Sequence, residues 1–245
     1  MVELELSVLS LRYSSWSMRP WLALSHAGAD FRLRTAELPE MQRQQRADDG
    51  SVRTAVTDLS ARRRLGSVTG LFPVLRVDGA PIHEALAICE WVADAYPDAG
   101  LWPRDALQRA QDRAVCAEMA SGFAALRAEL SCHLFARVPD FEPSAAARRD
   151  IDRVFEIWDA QLERHGGRFL GGGFGVVDCM YFPVLSRFRS YGVALPARLE
   201  DWAREMEASA PVRALSDAAR VAPRIEIYDD YVRNLGGDPD AALKS

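Results

Sequence analysis

The stretch that most constrains this chain is LFPVLRVDGAPIHEALAICEWVADAYP, residues 71–97. Two short apolar runs, PVLRV and API, flank an Asp-Gly pair. Asp-Gly tolerates the positive φ angles of a tight hairpin turn, so the pattern predicts two antiparallel strands. Directly after them, Leu86, Ile88, Cys89, Val92 and Tyr96 recur at helical spacing and form one apolar stripe. A hairpin that runs straight into such a helix must bury a sheet face against it. This part of the chain is thereby committed to a layered α/β arrangement.

The preceding residues supply the rest of the layer. LELSVLSL (4–11) partly alternates and predicts a strand. Residues 17–28 predict a helix, with apolar Trp21, Leu22 and Leu24 and with Gly28 as its C-terminal stop. FRLRTAEL (31–38) alternates as a second strand. Residues 39–66 are rich in Arg, Gln, Asp and Ser, with one short helix expected around Ser51–Arg64. A connection this long is commonly functional or disordered. The first ~97 residues thus read β-α-β-α-β-β-α. Beyond LWPRD, around Pro103, helical spacing runs through 105–136, 144–165, 176–190 and 198–208, with a shorter helix at 211–219. The expected organisation is an α/β domain over 1–98, an all-α domain over 104–235, and a loose polar tail over 236–245.

Charge and cysteine usage narrow the function classes. With 30 basic and 35 acidic residues the net charge is −5, which argues against nucleic acid or an anionic membrane as partner. No apolar run approaches the ~20 residues of a membrane span. The start, MVELELSVLSLRY, lacks the basic region and apolar core of a secretory signal, so a cytoplasmic location is expected. Cys89, Cys116, Cys132 and Cys179 are widely spaced and form no CxxC pair; they are expected as buried free thiols. His26, His83, His133 and His165 have no ligand spacing, and no metal is expected.

The segment YSSWSMRPWLAL carries three serines, Ser14, Ser15 and Ser17, ahead of the first helix, and Pro20, read as lying in its first turn. A helix start leaves about four backbone N–H groups unpaired, and serine oxygens cap them. The same N–H groups and the positive end of the helix dipole also attract an anion or a thiolate. Ser17 is read as the cap.

Four strings now resemble one family in order and in spacing. SSWSMRPWLAL is similar to the serine-type start of the first helix of cytosolic glutathione transferases, the zeta-like bacterial members among them. SVTGLFPVLRVDG, IHEALAICEWVADAYP and FGVVDCMYFPVLSRF are similar to that superfamily's later segments. The resemblance spans residues 4–190 and implies a thioredoxin-like N-terminal domain followed by an all-helical C-terminal domain.

It also implies glutathione as co-substrate. Ser14 would donate to the glutathione sulfur and favour the thiolate, the nucleophilic form of a thiol. Ser15 and Trp16 would stand beside it. Trp16 occupies a place where zeta-like members often carry cysteine, which removes mixed-disulfide chemistry at that position. Phe72 would pair its backbone with glutathione ahead of a cis Pro73. Glu84 would hold the γ-glutamyl amino group. Ala85 stands where the family has Ser or Thr and offers no hydroxyl; one hydrogen bond to a charged group is worth about 1.5–3 kcal/mol, or roughly ten- to a hundredfold in affinity. Asp178 would close a capping box whose cap is here Gly175.

The implied activity is a glutathione transferase of the detoxifying kind, or a glutathione-dependent isomerase, acting on a small hydrophobic electrophile, as a homodimer. A non-catalytic binding protein of the same fold is the alternative, favoured by Ala85 and Trp16. The second substrate is expected against the helix starting near 105, with Arg109, Arg113, Met119 and Phe123 as candidates; Arg113 reads equally as a surface ion-pair partner. Arg62, Arg63 or Arg64 would reach the glycyl carboxylate.

Overall fold

A computed structural model describes residues 2–36 and 59–244. The expectations for residues 39–58 lie outside them. The N-terminal unit runs β1 (Leu4–Val8), α1 (Ser15–His26), β2 (Arg32–Thr35), α2 (Leu59–Arg64), β3 (Val74–Val77), β4 (Ala80–His83) and α3 (Ala85–Ala95). The sheet order is β2-β1-β3-β4. β1 pairs parallel with β2 and antiparallel with β3, and β3 pairs antiparallel with β4. The Asp-Gly turn forms as its residues dictate: Asp78 and Gly79 hold φ of 47° and 85°. The Asp78 carboxylate also accepts from the Glu3 N–H at 2.8 Å.

After a 3₁₀ turn at Pro97–Ala99 the chain is helical: α4 (Ala106–Ser121), α5 (Ala124–Glu129), α6 (Ala145–His165), α7 (Val176–Ser190), α8 (Ala197–Ala208), α9 (Ala210–Arg220), α10 (Glu226–Asn234) and α11 (Ala241–Lys244). Among the described residues no helix is long and apolar enough to cross a membrane. A thioredoxin-like layer followed by a helical domain is the fold that the strings implied. α7 is the central post, with both its apolar and its polar side chains enclosed.

Asp178, three residues into α7, fixes the loop before it. Its carboxylate accepts from the Gly175 N–H at 3.0 Å, the Leu170 N–H at 2.9 Å and the Trp202 indole at 2.9 Å. The missing cap hydroxyl has a steric reason: a Cβ at Gly175 would stand 2.8 Å from the Leu101 carbonyl oxygen, and the next N–H, of Val176, donates to that same oxygen. Burial pushes the Asp178 carboxyl up to about 6 despite these donors.

Four local expectations are corrected. The first helix starts at Ser15, with Ser14 rather than Ser17 as its cap. Pro20 therefore falls in the second turn, not the first. The helix expected over 105–136 stops at Ser121, because Phe123 takes φ 59° and the chain re-enters a separate helix. The tail expected to be loose is tied down: Arg137 and Asp238 exchange backbone hydrogen bonds, Arg12 pairs with Asp240, and Lys244 pairs with Asp238 at 2.6 Å.

Asp178→Ala strands two backbone N–H groups and an indole N–H in the interior. We expect a loss of roughly 2–5 kcal/mol, since each buried unsatisfied donor costs about 1–3 kcal/mol and the three share one acceptor. Urea unfolding of the two proteins measures it; a loss under about 0.5 kcal/mol, the range of an ordinary surface substitution, contradicts this role.

Candidate active site

β1 delivers the chain to a turn at Leu9–Tyr13, and the turn delivers it to the start of α1. The Ser14 hydroxyl accepts from the Ser17 N–H at 3.3 Å and meets the Ser17 hydroxyl at 2.9 Å. The Ser17 oxygen in turn accepts from the Leu9 N–H at 3.2 Å. Ser17 thus belongs to the interior and ties helix to strand. Ser14 sits at the boundary, half-buried, on the wall of a cavity of about 620 Å³. Ser15, Trp16 and Phe72 line the same cavity.

A second cavity, of about 230 Å³, shares Trp16, Leu71 and Phe72 with the first and continues along Pro73, Glu84 and Ala85. The Phe72–Pro73 peptide is cis. Glu84 caps α3 with φ 69° and gives no side-chain cap to the first turn, so its carboxylate stays exposed and available. The structure therefore brings all seven candidates, Ser14, Ser15, Trp16, Phe72, Pro73, Glu84 and Ala85, onto two joined walls.

The second-substrate candidates do not gather there. Arg113 grips Glu90 through two bonds of 2.7 and 2.6 Å, the ion pair that the sequence offered as the other reading. Arg109 donates to the Pro103 carbonyl at 3.3 Å. Met119 and Phe123 are core residues. Because the helix breaks after Ser121, the wall is instead built by Ser121, Gly122, Ala124, Arg127 and Ala128, with Ile225 and Tyr228 arriving from the α10 end. Neither the interruption after Ser121 nor the contribution of α10 was read from the sequence.

What sequence reading missed most is the charge. Arg62, Arg127 and Arg187 line the larger cavity, and among its described lining residues none is acidic. Arg62 is fully buried and donates to the Gly70 carbonyl. Arg63 and Arg64 are exposed. Arg187 donates to the carbonyls of Leu130 and Pro183 at 2.8 Å each and reaches the Ser15 hydroxyl at 3.4 Å. Trp16 packs against Arg127, 5.1 Å from its ring, and against a further guanidinium, Arg19, at 4.1 Å. Arg19 is fully buried, donates to the Met180 carbonyl at 3.0 Å, and leaves Nη1 without a partner. Burial first, then Arg187 and Arg127, bring the Arg19 guanidinium down to about 9.

Comparison with known proteins identifies the family. Residues 13–95 match the N-terminal domain of glutathione S-transferase, and residues 93–218 match its C-terminal domain. The chain belongs to the glutathione S-transferase family. A probable maleylacetoacetate isomerase of Caenorhabditis elegans is 27% identical over 113 residues, covering 46% of this chain and 53% of that protein. The pyrimidodiazepine synthase of Drosophila melanogaster is 31% identical over 117 residues, covering 46% of this chain and 42% of that protein. The chain thus spans about half the length of these curated relatives. A glutathione transferase homolog from Burkholderia GL BGR1, solved with bound glutathione, superposes with a TM-score of 0.64 at 20% identity, over 89% of this chain and 98% of the other.

One member of the wall is a thiol. Cys132 is 5% exposed, lies on the larger cavity, and has its sulfur 3.8 Å from the Ser186 hydroxyl. Cys89, Cys116 and Cys179 are fully enclosed; burial raises their thiols, that of Cys89 to about 12. A chromogenic disulfide reagent under native conditions is therefore expected to label one of the four free cysteines, Cys132. Labelling that persists in Cys132→Ser contradicts this assignment.

Proposed function

We propose that this glutathione S-transferase family member is a glutathione-dependent transferase or isomerase whose second substrate is a small electrophile with an apolar body and a carboxylate. The observation that carries the reading is the start of α1: a capped helix N-terminus with Ser14 and Ser15 opens on a cavity continuous with the cis Phe72–Pro73 turn and Glu84.

Glutathione supplies a thiol nucleophile. The chain's own groups fit it at several points. The backbone of Phe72 offers an edge for the cysteinyl peptide. Glu84 offers a carboxylate to the γ-glutamyl amine. The first turn of α3 offers unpaired N–H groups to the γ-glutamyl carboxylate. Arg62 faces the glycyl end. Ser14 turns its hydroxyl from Ser17 toward the sulfur, and the dipole of α1 favours the anion there. Sulfur held beside the electrophile turns a bimolecular encounter into a positioned one.

The arginines refine the electrophile. Trp16, Phe72, Ala124, Ala128, Ile225 and Tyr228 give an apolar lining, while Arg127 and Arg187 give it a positive end with no acid among the described lining residues. Arginine forks suit a carboxylate. A thiolate that leaves again yields an isomer and one that stays yields a conjugate; the relative named as a maleylacetoacetate isomerase supports the first. The family also supports a two-fold homodimer and a cytoplasmic setting.

A non-catalytic binding role is favoured by one observation, the buried Ala85 at the γ-glutamyl pocket. Calorimetric titration of glutathione decides between the two readings. We expect a dissociation constant of about a millimolar or tighter. Ala85→Ser should tighten binding roughly tenfold or more by restoring one hydrogen bond to a charged group. Ser14→Ala should keep binding and lose thiol reactivity. No heat at several millimolar for both wild type and Ala85→Ser removes glutathione from the function. Separately, Arg127→Gln should raise KM for a carboxylate-bearing electrophile roughly tenfold or more and leave a neutral one unchanged. Equal effects on both sink the carboxylate assignment.

A further inference from the structure

Helix α10 lies beyond the stretch that matches the family's C-terminal domain, which ends at 218. It nevertheless reaches the Ser14 turn through one carboxylate. Asp229, on α10, is fully buried. One of its oxygens accepts from the Tyr13 hydroxyl at 2.8 Å and from His133 Nε2 at 2.9 Å. The other accepts from Arg224 through two bonds of 2.9 and 2.6 Å.

The clamp has a second strand. Arg224 also binds Asp240 at 3.0 Å, and Asp240 pairs with Arg12, the neighbour of Tyr13. The Arg12 carbonyl accepts from the Leu134 N–H at 3.0 Å, and the Ser190 hydroxyl donates to the His133 carbonyl at 2.7 Å. Tyr13 lies between the rings of Tyr228, stacked at 5.2 Å, and His133, edge-on at 4.8 Å. Burial alone would push Asp229 up, but His133, Tyr13 and Arg224 outweigh it and hold the carboxyl well below the usual range.

We propose that Asp229 is a positioning residue for the thiol end of the active site: through Tyr13 it fixes the turn that carries Ser14, and through its own helix it sets the Ile225–Tyr228 wall opposite. This rests on the reading of Ser14 as the thiolate donor. The logic is mechanical. Ser14 is bonded to its neighbours only through the short turn and its cap, and both of its flanking residues are anchored from outside the N-terminal unit. Tyr13 is held by α10, and Ser15 is reached by Arg187 of α7. A hydroxyl must stand within a few tenths of an ångström of hydrogen-bonding distance from the sulfur to favour the thiolate. Tyr13 also lines the larger cavity, so the change that loosens the turn must keep its ring in place.

Tyr13→Phe tests this, because it removes the hydroxyl and leaves the ring stack. Four quantities are read: melting temperature, glutathione affinity, kcat, and the pH at which the ultraviolet absorbance of bound thiolate appears. The clamp predicts a melting temperature within a few degrees of wild type and glutathione affinity within about threefold. It predicts a fall in kcat of roughly tenfold or more, toward the hundredfold that an ångström of misplacement costs. The bound thiol should move toward the free value of about 8.5. Asp229→Asn should do the same with a larger stability loss. Unchanged kcat and thiol titration in a folded Tyr13→Phe overturn the clamp. Hydrogen exchange gives a readout independent of glutathione: in Tyr13→Phe the amides of residues 9–17 should exchange faster while those of α7 hold. If wild type binds no glutathione, the functional reading falls and exchange alone decides; uniform exchange then overturns the clamp as well.

Discussion

Helix α1 is enclosed along most of its length, and the rest of the arrangement depends on that enclosure. Met18, Leu22, Ala23 and Leu24 have no solvent exposure. The sheet and α3 lie on one side, and α7 lies on the other, where Arg19 donates to the Met180 carbonyl. A helix buried on both flanks can expose only its ends. The C-terminal end is closed by His26, whose ring meets the Ala99 carbonyl at 3.1 Å and stacks on Phe174 at 4.5 Å. The N-terminal end is left as the surface that opens on the cavity. The chemistry proposed at Ser14 rests on the packing of α1 as much as on the serine itself.

Local signals carried much of this. The Asp-Gly hairpin, the stripe of α3 and the cis turn at Pro73 are encoded within a few residues of where they act, so the N-terminal unit was legible. That Ser14, Ser15, Trp16, Phe72, Pro73, Glu84 and Ala85 would lie together was legible too, because they stand in strings that keep their spacing. Other features were not. Ser14 and Ser17 differ by one helical turn, and either satisfies a capping rule; only the strand end at Leu9, whose N–H takes Ser17, decides between them. The break at Phe123 needs a left-handed φ that a phenylalanine does not announce. The wall from Ile225 and Tyr228 and the grip of Asp240 on Arg12 join positions more than 200 residues apart, and no periodicity reports such a pairing.

The arginines show how function opposes stability. Arg19 and Arg187 are buried with backbone carbonyls as their partners rather than carboxylates. Carbonyl dipoles satisfy donors but do not neutralise charge, and burying charge without an opposite charge is costly. A hydrophobic residue in place of Arg187 would remove one of the three positive charges that line the larger cavity. A field built in advance is worth more in a water-poor site than in bulk solvent, because no solvent need reorganise when the anion arrives.

The same reasoning separates the two ends of the site. At the larger cavity cationic side chains are concentrated and acids are absent among the described lining residues, so anionic ligands gain there. At the smaller cavity an acid, Glu84, faces the space, and the place of a hydroxyl is taken by Ala85. In the proposed pose this asymmetry orients glutathione: its amine meets Glu84, the carboxylate on the same carbon meets the start of α3, and only the distant glycyl carboxylate lies toward the cationic cavity. In that pose the affinity forfeited at Ala85 weakens the grip without scrambling it, and the thiol meets the start of α1 through the Ser14 hydroxyl, because the N–H groups of Ser15 and Ser17 already have partners in the Tyr13 carbonyl and the Ser14 oxygen.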